Sequence, residues 1–190
     1  MNSFLIGLRF DNVISCYVLA LPLFVLLISS FTKIKHSFYT RPVTVFIILL
    51  YSLSFFISAV DIPFYQQFNK RVNSSVFAWA DNFDFIVKMI LEEKSYVLYI
   101  VGFLALEVFF VWAILFFKKK IYKEYVFEKS SLRANIIKVF ITIFFFLLCY
   151  VGIRGRIAFK SPIRVGTAYF SNYNFSNQLA LNPVYNFLRS

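Results

Sequence analysis

One histidine, two cysteines, five glycines and five prolines among 190 residues leave this chain short of the parts from which familiar active sites are assembled. His36 stands beside Lys35 with no second His, Cys or carboxylate at ligand spacing, which argues against a zinc or two-metal centre made by this chain alone. It reads as a solvated or headgroup-facing residue. Without another histidine no Ser-His-Asp set can be built, and the few glycines form neither GxGxxG nor GxxxxGK. Cys16 and Cys149 follow no CxxC spacing and both lie in apolar runs, where packing is expected rather than a disulfide or a redox pair. Charge is also scarce, at 15% of residues, while 60% are hydrophobic and 27 are Phe. A disordered or collagenous chain is thereby excluded.

What the chain has in quantity is long apolar runs. Val13–Phe31, Val43–Val60, Tyr96–Phe117 and Ile136–Ile153 hold 19, 18, 22 and 18 residues. A helix needs roughly 20 apolar residues to cross a hydrocarbon core about 30 Å thick. The expected fold is therefore all-α, a polytopic transmembrane bundle of four spanning helices. Residues 1–153 form the membrane domain, with spans at about 13–31, 43–60, 96–117 and 136–153, and residues 154–190 a juxtamembrane connector. The first run is long, Arg9 is answered by Asp11, and no small-residue cleavage site follows, so a removable signal peptide is not expected.

Orientation follows from the loops, because Lys and Arg in short loops stay on the cytoplasmic side. Thr32–Pro42 carries Lys33, Lys35 and Arg41 with no acid. Lys118–Asn135 carries Lys118, Lys119, Lys120, Lys123, Lys129 and Arg133 against Glu124 and Glu128. Both are expected inside. Asp61–Ser95 is weakly acidic, with Asp61, Asp81, Asp84, Glu92 and Glu93 against Lys70, Arg71, Lys88 and Lys94, and is expected outside with both chain ends. The tail strains this scheme, since Arg154, Arg156, Lys160, Arg164 and Arg189 have no acid among them. An even number of spans nevertheless puts both ends on one face, and the net charge of +11 is divided between two faces rather than gathered for nucleic acid.

Within the outer loop, Asp61 is expected to cap a new short helix with Pro63 in its first turn. Phe64, Phe68 and Val72 would then form an i, i+4, i+8 stripe along the headgroup boundary. Trp79, with Phe77, Phe83 and Phe85, has the character of an interfacial aromatic belt. Glu107 is the one carboxylate deep in a span. Placing an acid there costs roughly 2.5 to 3.5 kcal/mol, so it should find a partner among Ser52, Ser54, Ser58, Thr142, Tyr51 and Tyr150. It would serve either as a headgroup contact or proton site, or as hydrogen-bonded glue between helices.

The tail runs Arg154-Gly155-Arg156-Ile157-Ala158-Phe159-Lys160-Ser161-Pro162-Ile163-Arg164-Val165-Gly166-Thr167-Ala168-Tyr169-Phe170-Ser171-Asn172 and closes with Asn177-Gln178-Leu179-Ala180-Leu181-Asn182-Pro183-Val184-Tyr185-Asn186-Phe187-Leu188-Arg189-Ser190. It resembles the segment that joins membrane and catalytic domains in the lipoteichoic acid synthase family of sulfatase-like enzymes, within the alkaline phosphatase superfamily, especially its Bacteroidetes-type members. Gly7-Leu8-Arg9-Phe10-Asp11 and Asp61-Ile62-Pro63-Phe64-Tyr65 resemble the same family's membrane domain. The resemblance implies a bacterial cytoplasmic-membrane protein whose partners are membrane phospholipids and an extracytoplasmic catalytic domain in cis. That domain would transfer phosphoglycerol or phosphoethanolamine through a threonine beside a divalent metal, Mn or Zn. Five spans are usual in such proteins, so the resemblance also implies that this chain lacks the first span and the catalytic domain, as a fragment or split gene product would. No catalytic or metal residue of the family can be carried over to it. Arg154, Arg156, Lys160 and Arg164 are the expected headgroup contacts, with ordinary juxtamembrane anchoring as their plainer role. A stand-alone membrane protein, such as a transporter subunit or assembly factor using Glu107, is the alternative. Transporters commonly show internal repeats and broken helices, whereas here Pro22 is the only proline well inside a span and no repeat is evident.

Overall fold

The computed structural model describes residues 2–31, 36–77, 88, 94–124, 132–158 and 160–190. Its elements are α1 (Asn2–Phe31), α2 (His36–Phe68), α3 (Lys94–Glu124), α4 (Leu132–Arg154), a 3-10 turn (Val165–Ala168), α5 (Asn174–Ala180) and α6 (Pro183–Arg189). The fold is all-α, and α1 to α4 are each long and apolar enough to cross a membrane. Their apolar surface has little protein to hide against: none of the most apolar window of α3 and 6% of that of α2 is buried. Phe109 and Phe140, 66% and 71% exposed, belong to an apolar surface of the kind that lipid covers. This is the composition of a multi-pass membrane protein.

All four long helices exceed the apolar runs that announce them, α1 and α2 by the most. The first run starts at Val13, but α1 starts at Asn2, and in this added stretch Gly7 and Phe10 lie against the folded tail while Phe4, Leu5 and Leu8 stay exposed. The second run ends at Val60, yet α2 continues through Asp61-Ile62-Pro63 to Phe68. Asp61 therefore does not cap a new helix: its carboxylate is taken by Arg71 and by the Val72 N–H. Phe64 and Phe68 do stack along α2, with ring centroids 4.7 Å apart. The stripe stops there, since Asn69 adopts a left-handed conformation (φ 53°) with its N–H on the Tyr65 carbonyl, and Val72 lies past that turn, buried. Asn is among the few residues that tolerate such a backbone. The expected belt residues Trp79, Phe83 and Phe85 lie outside the described residues.

The chain divides into two compact units. The first comprises residues 1–11, 52–108 and 163–190. Its core is built around Phe10, Val72, Ile163, Ala168, Ala180, Leu181, Val184 and Tyr185, all buried. The start of α1, the segment after α2 and the tail therefore share one folded body. Residues 69–77 and residues 163–190 are therefore held together within that body.

The second unit comprises residues 12–51 and 109–162. There α1 and α4 approach closely at Gly152, where a side chain would overlap Cys16 Sγ and lie 3.3 Å from Asn12 Nδ2. Both thiols are free, and Cys149 Sγ donates to the Cys16 carbonyl at 3.1 Å. Small residues that let backbones approach are the usual basis of helix association in lipid. Gly152→Val should therefore cost about 1 to 3 kcal/mol by overpacking, read as a lower melting temperature in detergent. Gly102→Ala, with nothing within 4 Å of the added carbon, should be neutral or slightly stabilising. Equal effects of the two changes would refute the close contact. At the end of α4, Gly155 takes φ 68° and its N–H reaches the Val151 and Gly152 carbonyls, a helix stop that glycine permits at least cost.

Candidate functional site

Among the described residues two polar centres stand out, both within the first unit. The first is intramembrane. Glu107 on α3 accepts a hydrogen bond at Oε1 from Ser52 Oγ on α2, and its Oε2 is buried with no hydrogen-bond partner. Of the hydroxyls expected to serve Glu107, Ser52 is the one engaged. Ser58 instead donates to the Ser54 carbonyl at 2.8 Å, and Thr142 to the Lys138 carbonyl at 2.8 Å. The same pair of helices is tied again by Gln66 Nε2 donating to Tyr99 Oη at 2.7 Å and by the rings of Phe56 and Phe103, 6.0 Å apart. Glu107 thus works as a clamp between α2 and α3. Such interhelical hydrogen bonds are worth about 0.6 to 1.7 kcal/mol. Glu107→Ala should lose that amount in detergent unfolding. Glu107→Gln keeps an acceptor for Ser52 and should stay within about 0.5 kcal/mol of the parent; a Gln variant as weak as the Ala variant would show that the charge itself is needed.

The second centre was not foreseen from the sequence. Asp61, 1% exposed, sits near the end of α2 and pairs with Arg71 through Nη1, while its other oxygen accepts the Val72 N–H at 2.7 Å. Arg71 then reaches the tail: its Nε donates to the Gln178 carbonyl at 2.8 Å and its backbone N–H to Gln178 Oε1 at 3.3 Å. The guanidinium also lies 5.8 Å from the centroid of the Tyr65 ring. Gln178 and its neighbour Asn177 are buried but provided for. Asn177 Oδ1 accepts the N–H groups of Phe170 and Ser171 at 3.2 and 3.0 Å, and its amide donates to the Ser171 carbonyl at 2.7 Å. Gln178 Nε2 faces Tyr169 Oη and Asn174 Oδ1, both at 3.4 Å. Each buried polar group here has a partner, the condition under which burial is tolerated.

The tail is held at further points. Asn182 caps α6 by accepting the Tyr185 N–H at 2.8 Å, with Pro183 in the first helical position, and its amide donates to Asp11 Oδ1 at 2.7 Å. Tyr185 Oη donates to the Ile163 carbonyl at 2.6 Å, and its ring packs 4.8 Å from Phe10. Asn186 Nδ2 donates to the Val72 carbonyl at 2.8 Å, and Ser190 Oγ accepts the Ser74 N–H at 2.9 Å. The segment expected to be a juxtamembrane connector is a folded cap over residues 163–190.

The expected headgroup contacts divide. Arg154 turns back on its own chain, with Nη2 donating to the carbonyls of Ala158 and Lys160 at 3.3 and 2.7 Å, and so braces the turn after α4. Lys160 and Arg164 are exposed, and Arg156 is half-buried. Arg154, Arg156 and Lys160 belong to the second unit and Arg164 to the first. Among the described residues no three His, Cys, Asp or Glu side chains gather as metal ligands.

Fold and polar centres together define a class: an all-α membrane protein with four candidate spans, an intramembrane acid clamped to a hydroxyl, and a folded cap. No family model, no curated protein and no solved structure matches the chain.

Proposed function

We propose that this chain is the membrane-anchoring part of a sulfatase-like transferase of the lipoteichoic acid synthase kind. It would sit in a bacterial cytoplasmic membrane, with the tail on the extracytoplasmic face handing over to a catalytic domain in cis. One observation carries the reading. The three sequence runs that bear the resemblance, far apart in the chain, are the runs that pack on one another. Gly7 lies against the Ala180 carbonyl, whose oxygen would be 3.7 Å from a side-chain carbon at that position; Asp11 meets Asn182; and Asp61 is joined through Arg71 to Gln178. Contact among runs so far apart in sequence is intelligible if the body they form is the part that a following domain requires.

The physical role follows from where the substrate lies. A phospholipid donor of phosphoglycerol or phosphoethanolamine is confined to the outer leaflet, and a tethered catalytic domain meets it at a high effective concentration. A folded cap adds orientation, because a domain leaving a rigid platform searches fewer poses than one on a slack linker. Lys160 and Arg164 are available for the anionic headgroups of the donor or its neighbours, each worth about 1 kcal/mol near such a surface. The threonine nucleophile and the Mn or Zn ion would belong to the catalytic domain.

The test is the size of the native species. An antibody against residues 163–190, used on immunoblots of native membranes, should detect a protein far heavier than 22.4 kDa. A band at that mass would overturn the anchor reading and favour a stand-alone membrane protein built around Glu107.

A further inference from the structure

The tail helix α5 (Asn174–Ala180) is built inside out. Its polar residues Asn177 and Gln178 are buried, both 6% exposed, whereas Phe175 and Leu179, one helical turn apart, face outward. The residues leading into it repeat the pattern, with Tyr169, Phe170 and Tyr173 all exposed, Tyr173 at 76%. A segment folding in water buries its apolar side and wets its amides. Here the amides are consumed internally by Arg71, Ser171 and the 170–171 backbone, which leaves the apolar side as the outer surface.

The surface beside it identifies the occupant. The Phe175 ring lies 6.4 Å from Tyr65, near the end of α2, and Tyr65 belongs to the stretch Phe38–Phe68 that is apolar enough to span a bilayer. The aromatic face of the tail thus continues the flank of a spanning helix at its terminus. Tyr and Phe at the end of a span, with ring and hydroxyl together, have the composition of an interfacial belt. We infer that the face formed by Tyr173, Phe175 and Leu179 lies in the membrane interface, in contact with lipid at the boundary between headgroups and acyl chains. The cap is then a monotopic element, resting on the bilayer beside the helices that cross it. This requires only that α2 spans a membrane; it does not depend on the identity of any following domain.

Spin-label accessibility in proteoliposomes tests it. The full chain, with Cys16→Ser and Cys149→Ser, receives single cysteines by Phe175→Cys, Leu179→Cys and Tyr173→Cys. Each is spin-labelled and reconstituted in phosphatidylethanolamine/phosphatidylglycerol vesicles, with lipids labelled at known acyl depths as calibration. Collisions with oxygen should exceed those with a water-soluble nickel chelate several-fold at positions 175 and 179, with a smaller excess at 173. An excess of nickel collisions at 175 and 179 would put the face in water and overturn the inference. Protection from both reagents would mean that protein covers it, a second copy or another domain, and would overturn it equally. Should Phe175→Cys fail to fold, Leu179 and Tyr173 report the same face.

Discussion

Asp61→Ala should release the cap from the membrane helices. Removing one member of a buried pair leaves the other uncompensated, at a cost of about 3 to 5 kcal/mol. Here two groups lose their acceptor, the Arg71 guanidinium and the Val72 N–H. The Arg71 side chain is 19% exposed and can turn partly to water, so the lower end of that range is expected. The readout is local: hydrogen exchange should accelerate across residues 69–77 and 163–190 while the centres of α2 and α3 stay protected. Because Asp61 and Arg71 act as one unit, adding Arg71→Ala should cost much less than its own single effect. Additive losses, or exchange unchanged in the tail after Asp61→Ala, would show that the pair does not hold the cap.

Phe10→Ala should be comparably damaging for a different reason. Phe10 is wholly buried in the first unit with its ring against Tyr185, and Phe-to-Ala changes in such sites cost about 3 to 5 kcal/mol. The loss would free the first turns of α1 from α6 and expose the Asp11 to Asn182 contact. In detergent the melting temperature should fall by several degrees, with earlier proteolysis in residues 163–190. Phe4→Ala, 71% exposed on the same helix, should remain within about 0.5 kcal/mol of the parent. Similar effects at the two positions would mean that the start of α1 is a lipid-facing helix with no tail upon it.

The difference between these phenylalanines marks how far the sequence could be read. Hydropathy locates all four spanning helices, because a run of about 20 apolar residues has few other uses. It does not locate helix ends that are set by tertiary contact. Residues 2–12 are helical where they meet the tail, and α2 passes Pro63 although local rules allow a fresh start at Asp61-Ile62-Pro63. Asp61 has the form of a helix cap but is spent on a residue ten positions on. No local pattern announces Gln178, whose partner Arg71 is 107 residues away. Glu107 was legible as an acid in need of a hydroxyl, while the choice of Ser52 among six candidates depends on the register of α2 against α3. One signal lay in plain sight: Asn182-Pro183 is a cap followed by a first-turn proline, and it opens α6.

The proposed topology puts residues 69–77 and 163–190 on the outer face of the membrane and Lys119, near the end of α3, on the inner one. Single cysteines by Lys70→Cys, Asn172→Cys and Lys119→Cys, in the Cys16→Ser, Cys149→Ser background, test it with a membrane-impermeant maleimide on intact spheroplasts. Positions 70 and 172 should label from outside, and position 119 only after permeabilisation. Labelling of 70 without 172, or of 119 together with both, would contradict the account.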